Sequence, residues 1–146
     1  RDALKALSAR SEIPEKENAY LVETIKTDNI NEDSIYERVK KISPDVIVIL
    51  GGYILKSRLL ELAGSAVNMH SGYVPFYRGV NGIENAILNN DFEHIGVTIH
   101  YATKEVDAGE IIKIVTGDER LPRDEFFRSL NDSAIEEYVN IIKLII

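Results

Sequence analysis

The sequence predicts an α/β domain, a mostly parallel twisted sheet with helices on both faces. Two observations carry that expectation. Strand-length apolar runs alternate along the chain with segments whose apolar residues recur at helical spacing. The run Val46-Ile47-Val48-Ile49-Leu50 also lacks any polar alternation, as expected of a parallel strand buried on both faces.

The elements follow in order. Arg1 to Ala9 reads as a helix fragment, with Ala3, Leu4 and Leu7 at helical spacing, and Ser11 to Asn18 reads as a polar loop containing Pro14. Ala19 to Ile25 suits a short strand. Asn31 is placed to cap a helix from Glu32 to Ile42, in which Ile35, Val39 and Ile42 form one apolar stripe. Pro44 ends that helix, and the strand of Asp45 to Leu50 follows. Gly51-Gly52 turns the chain into a helix from Ile54 to Leu62. A strand from Ser65 to Met69 comes next, then a helix from Asn81 to Asn89. Gly96 to Thr103 and Glu110 to Thr116 read as two strands joined by a loop that holds Asp107. Arg123 to Ile146 is helical, in two pieces broken near Asn131-Asp132-Ser133.

Composition bounds the function. The 146 residues make one domain, 1–146, long enough to bury roughly two thirds of the unfolded surface. There is no cysteine, which excludes disulfides and thiolate chemistry and suits a cytoplasmic location. No run approaches the roughly 18 apolar residues of a membrane span, so no membrane partner is expected. The net charge of −7 disfavours a nucleic-acid substrate, because binding phosphates calls for a basic surface. His70, His94 and His100 lack metal-ligand spacing, and no metal site is expected.

The chemistry concentrates in Asn68-Met69-His70-Ser71-Gly72-Tyr73-Val74-Pro75-Phe76-Tyr77-Arg78-Gly79, followed by Gly96-Val97-Thr98-Ile99-His100 and Val106-Asp107-Ala108-Gly109. Residues two apart in a strand point to the same side, so Asn68 and His70 share a face. Asn supplies amide donors, and His carries a proton near neutral pH. A loop carboxylate at Asp107 can return to the imidazole. This set suggests acyl transfer through a polarised carbonyl, without a covalent intermediate. Bland readings exist for each residue. Asp-Ala-Gly is ordinary turn chemistry, and His94 reads as a solvated loop residue. His100, on the strand face of Thr98, reads as a buried hydrogen-bonded support.

These three motifs, in this order, resemble the folate-dependent formyltransferases, a family that includes glycinamide ribonucleotide, methionyl-tRNA and sugar-amine formyltransferases. The resemblance runs from about Ile30 to Ile112. It implies a Rossmann-like formyltransferase fold, here lacking part of the N-terminal strand-helix unit. It also implies 10-formyltetrahydrofolate as co-substrate and a small-molecule amine as formyl acceptor, an amino sugar nucleotide or glycinamide ribonucleotide; a homodimer is compatible with it. Carried over to this chain, Asn68, His70 and Asp107 are catalytic. The pterin lies against the main chain of Tyr53, Ile54 and Leu55 and of Thr103 to Asp107, Val106 included. Arg78 meets an anionic substrate. Many relatives have Ser two residues after the histidine, where this chain has Gly72. Two other readings stay open, a 10-formyltetrahydrofolate hydrolase and a folate-binding module without turnover.

Overall fold

The computed structural model describes residues 24–146. The helix expected over Arg1 to Ala9, the loop after it and most of the strand expected over Ala19 to Ile25 lie outside them. Thr24 and Ile25 are in neither helix nor strand. The chain then runs through α1 (Asp33–Ile42), β1 (Val46–Leu50), a single helical turn α2 (Ser57–Leu60), β2 (Ser65–His70), α3 (Gly82–Leu88), a 3-10 turn (Phe92–His94), β3 (Gly96–Tyr101), β4 (Ile111–Thr116) and α4 (Arg123–Ile145).

The strands form one sheet in the order β1-β2-β3-β4. The α/β class holds, but the strand directions among the described residues correct the mostly parallel expectation. β1 and β2 are parallel, whereas β2–β3 and β3–β4 are antiparallel. The link from β3 to β4 is too short for a parallel crossover, whereas the connection from β2 to β3 holds α3 and permits either direction.

Register decides what each face carries. Val67 and Met69 of β2, Val97 and Ile99 of β3 and Val115 of β4 join the core under α4, where Leu130, Ala134, Tyr138 and Ile141 are buried. On the other face, Asn68 pairs with His100 and His70 with Thr98. Ile47 and Ile49 of β1 lie on that second face too, bordering a groove with Ile35 and Val39 of α1. Helices therefore lie on both faces, with the apolar core on the α4 side and the polar residues on the other.

Several boundaries moved for local reasons. Asn31 does not cap α1; its side chain donates to Ile54 O at 2.9 Å and accepts from Lys56 N at 2.7 Å. That clasp holds Ile54 to Lys56 extended, so the expected helix of Ile54 to Leu62 shrinks to one turn. α4 is one continuous helix, not two, because its buried stripe runs unbroken through Asn131-Asp132-Ser133. β1 is not buried on both faces. Val48 and Leu50 are 46% and 67% exposed, since β1 is the outermost described strand and the α4 stripe is centred on its neighbours. Tyr138 of α4 ties β1 in regardless. Its hydroxyl lies 3.1 Å from Ile49 N, 2.9 Å from Ile49 O and 2.7 Å from Val67 O, on the ladder beside Asn68. Burial pushes that phenol up to about 12, so it stays a neutral donor. No helix among the described residues is long and apolar enough to cross a membrane.

Candidate functional site

β2 ends at His70, with Asn68 two residues earlier on the same face. The β3–β4 loop brings Asp107 back over them. Asp107 has φ 47°, in the left-handed region where Asp and Asn are the most tolerated residues after glycine. Gly109 makes the return feasible, because a Cβ there would overlap the carbonyl oxygen of Tyr101. The Asp-x-Gly spacing thus has a steric cause.

Both oxygens of Asp107 are used, and the residue is 9% exposed. Oδ1 accepts from Asn68 Nδ2 at 3.2 Å and lies 3.4 Å from His100 Nε2. Oδ2 accepts from Gly79 N at 2.8 Å and lies 3.4 Å from His70 Nδ1. The three residues singled out from the sequence are therefore in mutual reach, with Asp107 as their common partner.

Donor and acceptor chemistry fixes the rest. His70 Nε2 lies 2.8 Å from Tyr77 O, which can only accept, so Nε2 carries hydrogen. Nδ1 faces the carboxylate, and any proton His70 exchanges with a bound molecule moves through Nδ1. His100 Nδ1 likewise faces the carbonyl of Tyr101 at 2.8 Å, which leaves Nε2 as an acceptor in the neutral ring. Asn68 Nδ2 lies 3.1 Å from that Nε2. Asn68 Nδ2, His100 Nε2 and Asp107 Oδ1 form a nearly equilateral triangle. Both acceptors thus lie within the span of the two N–H bonds of the Asn68 amide.

The loop between β2 and α3 is tightly built. Thr98 Oγ1 donates to Gly72 O at 2.7 Å and accepts from Val74 N at 3.0 Å. A Cβ at Gly72 would meet the Tyr77 carbonyl oxygen and His70 Nε2, so the loop as folded here calls for glycine at this position. Gly72→Ser is expected to cost about 1–3 kcal/mol of stability by overpacking, read as a fall in the urea midpoint. An unchanged midpoint would mean that the loop yields.

A cavity of about 890 Å³ opens on this cluster. Its lining includes Asn68, His70, His100 and Asp107, and also Tyr53, Ile54, Leu55, Thr103 and Val106. All five positions expected to hold a pterin are thus on one wall system with the polar cluster. The carbonyl of Ile54 already accepts from Asn31, which leaves it one lone pair for a ligand. Arg78 is not on that wall. It is exposed, beside Gly79, and the cationic side chain that does line the cavity is Arg128 of α4, with Glu84, Glu105 and Asp107 as the carboxylates. Arg128 was not legible in the sequence, because a helix polar face carries no mark of what it overlooks. His94 is not a solvated loop residue either. It packs on Phe76 with ring centroids 4.0 Å apart and pairs with Asp91 at 2.7 Å.

Comparison with known proteins gives a concordant picture. A family profile described as formyl transferase matches residues 4–118. Methionyl-tRNA formyltransferase of Macrococcus caseolyticus is 38% identical over 96 residues, 64% of this chain and 31% of that protein. The Thermotoga maritima protein of the same name is 34% identical over 110 residues, 74% of this chain and 32% of that protein. The chain thus spans about a third of the length of these relatives. Among solved structures, phosphoribosylglycinamide formyltransferase from Streptococcus pneumoniae TIGR4 superposes with TM-score 0.61 at 29% identity, covering 76% of this chain and 63% of that one. A sugar N-formyltransferase from Shewanella gives TM-score 0.61 over 80% of this chain and 48% of that one; at 19% identity it supports the fold alone.

Proposed function

The chain belongs to the formyl transferase family, and from that premise we propose that it transfers a formyl group from 10-formyltetrahydrofolate to a small-molecule amine. The observation that carries this reading is the placement of Asp107 between Asn68 and His70 on the wall of a cavity large enough for both substrates. The amine attacks the formyl carbon, and negative charge gathers on its oxygen. The Asn68 amide donates to that oxygen. His70, with its Nε2–H committed to Tyr77 O, gives the Nδ1 proton to the folate nitrogen as the carbon–nitrogen bond breaks, and the proton that the attacking amine sheds takes its place on Nδ1. Asp107 holds the imidazole and stabilises its charged form. Apolar walls at Leu50, Ile54, Leu55 and Val106 suit the flat pterin.

The acceptor is read as an amino sugar nucleotide or glycinamide ribonucleotide. The overall charge of −7 and a cavity wall whose one Lys or Arg among the described residues is Arg128 support a small phosphorylated amine over a tRNA. Incubation with 10-formyltetrahydrofolate and each amine in turn, methionyl-tRNA included, tests this. Tetrahydrofolate release that depends on a small amine supports the proposal. Release without amine means a hydrolase, and binding without release means a folate-binding module.

Arg128→Ala is expected to raise the Michaelis constant for a phosphorylated amine about tenfold, the loss of one charge-assisted contact. Arg78→Ala should leave it nearly unchanged, given the position of Arg78 off the cavity wall. The opposite ranking would return the anion site to Arg78.

A further inference from the structure

His70 is held at Nε2 by a residue that has a tether of its own. The carbonyl of Tyr77 receives the imidazole, while its phenol donates to Asp91 Oδ2 at 2.8 Å. Asp91 follows α3 closely, and its N–H donates to Ala86 O at 2.9 Å, on a residue that is fully buried. Its Oδ1 lies 2.7 Å from His94 Nδ1. A continuous path therefore runs from a buried helix end through a carboxylate, a phenol and a main-chain carbonyl to the imidazole. Around Tyr77 the loop is open to solvent, since Pro75, Phe76 and Arg78 are exposed.

We propose that Tyr77 is a positioning residue for His70: its tether to Asp91 fixes the carbonyl that sets the ring's tautomer and aims Nδ1 at Asp107 and the cavity. The physical reason is that phenol and carbonyl share one Cα. Without the hydroxyl's anchor the carbonyl loses its defined position, and a group moved by even a fraction of an ångström loses much of its effect on a reacting atom. The protonation states suit the tether. His94, and next the phenol of Tyr77, hold the Asp91 carboxyl below the usual carboxylate range, so it accepts as an anion at neutral pH. The amide of Asn89 draws the Tyr77 phenol down, but burial and Asp91 outweigh it and leave it above its ordinary value. Because the folded Asp91 is depressed, its contribution is present above the unfolded carboxylate pKa and is lost as pH falls through the folded value.

The inference rests on the proposed activity for its kinetic arm only. The full chain, labelled with nitrogen-15 in its three histidines, is examined by NMR without ligand, with His94→Gln and His100→Gln assigning the rings. In Tyr77→Phe the His70 ring nitrogens should move from single-tautomer towards averaged shifts. The turnover number should fall about tenfold, with the Michaelis constant for 10-formyltetrahydrofolate within about twofold of the parent. Asp91→Ala should reproduce both effects, and Asp91→Asn, which keeps an acceptor oxygen for the phenol, should rescue them. If Tyr77→Phe does not fold, Asp91→Ala decides. Ring signals identical to the parent in the variants that fold would overturn the proposal, whatever the melting temperature. Altered ring signals in a protein that transfers no formyl group would instead count against the activity and leave the tether standing.

Discussion

His70→Ala is expected to lower formyl transfer about a hundredfold or more while the affinity for 10-formyltetrahydrofolate stays within a few-fold of the parent. The ring is 8% exposed and reaches the cavity beside Asp107. Its contribution arises as charge develops on the substrate, so the loss falls on turnover. The proposed folate site is built from other walls of the cavity, Tyr53 to Leu55 with Thr103, Glu105 and Val106. Truncation also frees the Tyr77 carbonyl, which is partly compensated by water because the loop around it is exposed. Steady-state kinetics beside equilibrium folate binding checks the prediction. Turnover equal to the parent's would remove His70 from the mechanism.

The site was legible in the sequence to the extent that its geometry is periodic. Asn68 and His70 share a face because strand side chains alternate, whereas their pairing with His100 and Thr98 is set by the β2–β3 register. Asp107 was singled out by its place after the two upstream motifs, since Asp-Ala-Gly alone is ordinary turn chemistry. Three things were not legible. The antiparallel direction of β3 against β2 is reached across a connection long enough for either direction, and the apolar composition of a strand is silent on its neighbour's direction. The shortening of α2 to one turn depends on Asn31, a residue some two dozen positions earlier, whose capping potential is spent on Ile54 and Lys56 instead. The roles of Tyr77, Gly79 and Arg128 depend on tertiary approach. Two of the three act through main-chain atoms at the site, which side-chain identity does not report.

Asp107→Asn separates charge from shape. Asparagine is well suited to the left-handed backbone at this position, so the loop itself should survive. The four contacts of the carboxylate, however, all come from groups that donate or can do so. Gly79 N–H makes the shortest of them, at 2.8 Å, and has a fixed direction, so it should claim the amide oxygen of the new side chain. The new NH₂ then faces Asn68 and His100, where Asn68 Nδ2 is itself a donor at 3.2 Å. Relief comes if Asn68 turns its own amide over, and that moves its NH₂ group from its present place beside Asp107 and His100. The imidazolium of His70 loses its counter-charge at the same time. One substitution thus weakens both groups that the proposed reaction uses, the Asn68 amide and the His70 ring. The expected fall in turnover is at least a hundredfold, the scale of losing one oriented donor together with support for the charged ring. Stability should fall only by about 1 kcal/mol, since one buried donor is mismatched and no volume is lost. The pH–rate profile read beside the urea midpoint decides. A loss of several kcal/mol with a normal rate per folded molecule would make Asp107 a structural turn residue, and the Asp-Ala-Gly segment would then be no more than the steric solution that Gly109 requires.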